Sequence, residues 1–131
     1  HPLVRRFLKG VFESKPPPVR QSDIWDVNTV LNYLKTLAPN SSLSLKDLTL
    51  KLSMLLALVT IQRKQTLVHL KITETCMSRT DSQFVFSLDT HIEQSRPNYT
   101  VPPVLVPKYI VNQNVCPYVC LDEYLLRTKT L

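Results

Sequence analysis

A guanidinium set beside a long apolar run is the first group in this chain that could do chemistry. Leu55-Leu56-Ala57-Leu58-Val59 leads into Thr60, and Arg63 stands just beyond it. Apolar residues resume at Leu67, Val68 and Leu70. An arginine beside a hydrophobic core is costly unless it has an anionic partner. Its planar fork can hold a phosphate through two parallel hydrogen bonds, so a phosphodiester suits this residue type well. The competing reading is an arginine at a helix end, with its stem on the core and its head in water. The surrounding charge bears on the choice. The chain has 131 residues and a net charge of +6, unevenly placed. Arg5, Arg6, Lys9, Lys15 and Arg20 face Glu13 alone in the leading segment. Arg63, Lys64, Lys71 and Arg79 face Glu74 alone in a second cluster. The stretch 81–96 is acidic on balance, although it contains Arg96. Two separate basic clusters fit a surface that meets a polyanion. Arg5, Arg6, Lys9, Lys64 and Arg96 are the candidate polyanion contacts around Arg63.

Other chemistries find little support. Three cysteines are an odd number and give no disulfide framework, which favours a reducing, intracellular setting. Cys116 and Cys120 would share a helix face, but with His69 and His91 they make no zinc-finger spacing. Buried thiols are the better reading, and no metal is expected. The one glycine, Gly10, leaves no glycine-rich loop to cradle a nucleotide, so no cofactor is expected either. No apolar run reaches the length of a membrane span, and the N-terminus lacks a signal-peptide pattern.

The elements that must position Arg63 follow from hydrophobic spacing. Leu3, Val4, Phe7, Leu8, Val11 and Phe12 recur at helical spacing, with Arg5, Arg6 and Lys9 on the wet side. Lys15-Pro16-Pro17-Pro18-Val19 then reads as a stiff, extended linker. A helix starts near Asp23 or Asp26, carries Val27, Val30, Leu31, Leu34 and Leu37, and stops at Pro39-Asn40. Ser44, with Asp47 three residues on, caps the next one. Its stripe is Leu45, Leu48, Leu52, Leu55, Leu56 and Val59. Leu50, Met54 and Leu58 widen that stripe and predict burial on most sides. A short helix carries Arg63.

Strands then follow. The first is expected around Leu70, Ile72 and Thr73, before a polar turn over 78–83. The second is expected at Phe84-Val85-Phe86-Ser87-Leu88. The third, over 101–106, is confined to an edge by Pro102, Pro103 and Pro107. Pro117 opens a closing helix with the stripe Tyr118, Leu121, Tyr124 and Leu125. Trp25 is expected as a packing anchor. The fold class is α+β, mainly helical with a small three-stranded antiparallel sheet.

The stretch Thr60-Ile61-Gln62-Arg63-Lys64-Gln65-Thr66-Leu67 resembles the first arginine box of the tyrosine recombinases, phage-integrase-like enzymes that break and rejoin DNA. That family's pattern is an apolar helix followed by Thr-Gly-x-Arg-x-x-Glu-Leu. Ile61 stands in place of the glycine and Thr66 in place of the glutamate. The segment from Ile24 through Trp25 to Leu34 resembles the first catalytic-domain helix of the branch carried by DIRS-type retroelements. The segment from Ser42 to Leu52 resembles its second. Ser95-Arg96-Pro97 and Cys116-Pro117-Tyr118-Val119-Cys120 follow in the expected order, so the resemblance covers nearly the whole chain.

The resemblance implies DNA recombination and integration, DNA as partner, assembly of copies on DNA, a nuclear location and no metal. Arg63 would grip the scissile phosphate while a tyrosine attacks it. Residues 1–20 would be the tail of a preceding DNA-gripping unit plus a proline-rich linker. Residues 21–131 would be the first half of the catalytic domain. The family's lysine between the second and third strands, a general acid for the leaving oxygen, has no counterpart in His91-Ile92-Glu93-Gln94-Ser95-Arg96-Pro97. Arg96 could act only electrostatically, and His91 is a substitute by its titration range. The His-x-x-Arg box is absent. None of Tyr33, Tyr99, Tyr109, Tyr118 and Tyr124 can then be matched to the nucleophile, and the chain alone is expected not to cut DNA. Two alternatives stand beside this reading: a DNA-binding derivative with a decayed active site, and a helical protein-interaction module.

Overall fold

The structure, a computed structural model, describes residues 1–16, 26–62, 64–89 and 101–129. Five helices are found there: α1 (Pro2–Ser14), α2 (Val27–Thr36), α3 (Leu45–Thr60), α4 (Lys64–Val68) and α5 (Pro117–Thr128). Three strands, β1 (Met77–Arg79), β2 (Gln83–Phe86) and β3 (Val104–Pro107), form one antiparallel sheet in the order β1-β2-β3. The protein is therefore α+β, with a small three-stranded antiparallel sheet.

The helix starts follow their capping chemistry. Asp26 accepts from the Asn28 N–H at 3.0 Å and caps α2. That bond, with one from the Thr29 hydroxyl at 3.0 Å, holds its carboxyl below the usual carboxylate range. Ser44 caps α3, accepting from the Asp47 N–H at 3.1 Å. Its hydroxyl donates to the Asp47 carboxylate at 2.6 Å. Pro117 opens α5, where a missing N–H costs nothing.

The sheet differs from expectation at its first strand. Residues 70–73 do not pair. Thr73 instead begins a turn: its carbonyl accepts from the Met77 N–H at 2.8 Å and the Cys76 N–H at 3.1 Å. Pairing therefore starts at Met77, opposite Phe86, and runs to Arg79, opposite Phe84. The polar turn shrinks to the residues around Thr80, whose hydroxyl accepts from the Gln83 N–H at 3.1 Å. β2 stops at Phe86, short of the expected Leu88. β3 starts at Val104, immediately after Pro102 and Pro103, which have no N–H to give a ladder. It is an edge strand, as its prolines require.

Alternation puts Phe84, Phe86, Val104 and Val106 on one buried face. Leu48, Leu52 and Leu55 of α3 and Tyr118, Cys120 and Leu121 of α5 belong to the same core. The thiols of Cys76, Cys116 and Cys120 are free and buried.

α3 departs from the expected stripe in an instructive way. Leu50 is 60% exposed, while Lys51 is buried to 1%. The Lys51 ammonium donates to the Leu37 carbonyl and, at 2.8 Å, to Asn40 Oδ1. Arg127 of α5 reaches the same connection. It donates to the Leu43 carbonyl at 2.6 Å, to the Asn40 carbonyl at 3.0 Å, and to the Ser41 carbonyl. Glu123 takes its Nε–H at 2.8 Å. Two cations thus fasten the 3-10 turn Asn40–Ser42 between α2 and α3. The connection itself is exposed or half-buried, and its carbonyls find donors where Lys51 and Arg127 cover it.

α1 is an amphipathic helix without a buried residue. Leu3, Val4, Phe7, Leu8, Val11 and Phe12 are all exposed, along with Arg5, Arg6 and Lys9.

Candidate nucleic-acid interface

The segment around Arg63 begins where α3 ends. Thr60 donates its hydroxyl to the Leu56 carbonyl at 2.7 Å, and the Ile61 N–H reaches the Ala57 carbonyl at 3.2 Å. Ile61 is the C-cap of α3 and adopts the left-handed conformation, φ 53° and ψ 24°. It is the one non-glycine residue with positive φ among the described residues. The side chain there is 88% exposed. Glycine is the usual occupant of such a cap because a Cβ crowds the following carbonyl. α4 starts three residues later. Its Thr66 is buried and Leu67 packs against the core, so the short helix is seated on the main body.

The expected site residues separate as follows. Arg5, Arg6 and Lys9 are exposed on α1, with Lys9 3.7 Å from Glu13 in a solvent-exposed pair. Lys64 is exposed at the first position of α4. Arg63 and Arg96 lie outside the described residues, as do Asp23, Trp25, His91 and Glu93. The expectation that Arg63 and Arg96 face one side of a basic concavity therefore also lies outside them.

Two members of the second basic cluster are already engaged. Lys71 sits 2.8 Å from Asp89, and the carboxylate raises its pKa. This pair ties the chain after α4 to the residues that follow β2. Arg79 is held at 2.6 Å by Asp122, and its Nε–H donates to the Tyr118 hydroxyl at 3.0 Å. Those bonds raise its pKa further, the Tyr118 hydroxyl first among them. The guanidinium lies 5.3 Å from the Phe84 ring centroid and 5.5 Å from that of Tyr118. Its charge serves the β1–α5 contact rather than open solvent. Both ion pairs are half exposed and worth little to stability.

Sequence reasoning missed Lys51, Arg79 and Arg127 as structural cations. Lys51 left a signal, because Leu48, Lys51 and Leu55 share the three-four spacing of a buried stripe. Arg127 left only its pairing with Glu123, four residues before it on α5. The carbonyls it reaches at Asn40 and Leu43, like the partners of Arg79, are far away in the chain.

Among the described residues, no three of His, Cys, Asp and Glu cluster in a way that could hold a metal. No described helix is long and apolar enough to cross a membrane. Comparison of the chain with protein-family models, curated proteins and solved structures finds no match.

Proposed function

We propose that this chain is the arginine-box half of a tyrosine-recombinase-like catalytic domain of the DIRS-type retroelement branch, and that it meets DNA through Arg63 and the exposed cations. The observation that carries the reading is the backbone at Ile61. The family's pattern has glycine at this position, two residues before the arginine. The chain has isoleucine there, yet the backbone takes the conformation that glycine favours. The order of elements supports the same reading. A buried helix ends in the box, a short helix follows, and an antiparallel three-stranded sheet comes next in sequential order.

In this reading Arg63 neutralises charge on the non-bridging oxygens of a phosphodiester. Lys64 and the α1 cations contact the backbone without reading sequence. Copies of the intact protein assemble on DNA in the nucleus. A second reading, a DNA-binding derivative with a decayed active site, is favoured by the turn over 91–97, which carries Glu93 and no lysine.

The test is fluorescence anisotropy of a labelled 30-base-pair duplex at rising salt. Salt-sensitive binding is expected, with Arg63→Ala weakening it about two- to threefold, the loss of roughly one phosphate contact. Arg63→Lys keeps the charge and loses the fork, so it should recover only part of the loss. The chain alone should form no covalent phosphotyrosyl adduct with the duplex on a denaturing gel. Absent or salt-insensitive binding sinks the DNA reading, and an adduct overturns the matching of residues to roles.

A further inference from the structure

An apolar cleft of about 520 Å³ opens between α2, α3 and the connection from β3 to α5. Leu31, Leu58, Val111 and Val115 are among the residues that line it. Among the described residues that line it none is acidic, but Lys35 and Lys108 both are there. Lys35 donates only to Asn32, at 3.2 Å, and the Lys108 ammonium lies 5.5 Å from the Tyr118 ring centroid. Neither has a carboxylate partner among the described residues. The apolar surface continues outward: Ile110 is 84% exposed and Val111 83%. Ile110 and Val111 thereby widen the cleft into an exposed apolar patch, the kind of surface on which partners dock.

From this we infer that the cleft docks an amphipathic helix of a partner protein, with an apolar ridge flanked by carboxylates. The ridge would fill the cleft, as helices do in hydrophobic grooves. Its carboxylates would meet Lys35 and Lys108, and that charge match sets which helices are accepted. A second copy of this chain fits poorly. Its own exposed apolar helix, α1, carries Arg5, Arg6 and Lys9, which would oppose the two lysines. DNA fits poorly too, because apolar walls offer nothing to phosphate. The inference does not rest on the recombinase reading.

The test is panning of a displayed library of random peptides about 16 residues long, enough for four helical turns, on the immobilised full chain. The enriched peptide is then titrated by anisotropy. Peptides with apolar residues at helical spacing and several Asp or Glu are expected. Binding should weaken about tenfold in the double variant Lys35→Glu/Lys108→Glu. It should weaken similarly in Val111→Asp, a surface change that leaves the circular dichroism spectrum intact. Arg5→Ala/Arg6→Ala/Lys9→Ala should bind the peptide unchanged. The proposal is overturned if no peptide is enriched over panning on Val111→Asp, or if the enriched peptides are basic. It is also overturned if charge reversal leaves affinity within about twofold, or if sedimentation shows a dimer that Val111→Asp dissolves.

Discussion

Ile61 holds a backbone conformation that a β-branched side chain resists, and at 88% exposure it gains nothing from packing in return. A left-handed residue other than glycine costs roughly 1–2 kcal/mol. Ile61→Gly should therefore stabilise the fold by about 1 kcal/mol, less the entropy glycine returns to the unfolded chain. Urea unfolding would show this as a higher midpoint with an unchanged slope. A lower midpoint would mean that the side chain supports a contact and that the glycine analogy fails. Cys120 allows a second residue-scale prediction. Burial pushes its thiol from 9.0 up to about 11, against the pull of the Lys51 ammonium. A raised folded pKa means that the native state holds the proton more tightly. Its contribution is thus fully present below pH 9.0 and is lost as pH rises toward about 11. Lys51 works in the opposite sense. Burial lowers its pKa below 10.5, so its contribution grows as pH rises through the folded value toward 10.5. Cys120→Ala should flatten the alkaline decline in stability between those two cysteine values. An unchanged profile would place the thiol's titration elsewhere.

Helices were easier to read from this sequence than strands, and the reason is local. α3 announces itself through Ser44, Asp47 and a stripe of leucines, all within one segment. β1 depends on a partner. Leu70-Lys71-Ile72 has strand-like alternation but meets a turn at Thr73, while Met77–Arg79 pairs because β2 lies beside it. No pattern within three residues could announce that. The same logic hides the connection between α2 and α3. Pro39 and Asn40 signal a stop, but nothing in that segment announces that α5 reaches back to it through Arg127. Removing either cation leaves half-buried carbonyls without these donors. Lys51→Ala should cost about 2–3 kcal/mol, from lost packing and unsatisfied acceptors together. Lys51→Met keeps the apolar stem and should cost less. If Met and Ala cost the same in chemical denaturation, packing matters little and the hydrogen bonds carry the effect. If Met restores full stability, the clamp contributes nothing.

At the scale of the molecule, the α+β class and the helix order were legible because hydrophobic periodicity sets them. The candidate site was legible only in part. The box around Arg63 could be picked out from its residue types, yet the ion pairs that occupy Lys71 and Arg79 come from tertiary contacts. On the proposed DNA reading, those pairings narrow the charge available for phosphate. Lys64 remains open at α4, and α1 contributes Arg5, Arg6 and Lys9, none of them buried. A binding surface of four or five cations should release a similar number of counterions, giving a log–log slope of affinity against salt of about −4. Arg5→Ala/Arg6→Ala/Lys9→Ala should flatten that slope by about 2 to 3 if α1 touches the phosphate backbone. The same variant should keep the parent's melting temperature, since α1 gives no residue to the core. Stability and binding are thus separated in one protein. A flattened slope at constant melting temperature assigns the leading helix to DNA. An unchanged slope removes α1 from the interface and leaves Lys64 and the arginine box to account for whatever binding remains. A lowered melting temperature would show that α1 packs against the body and that its apolar face is already in use.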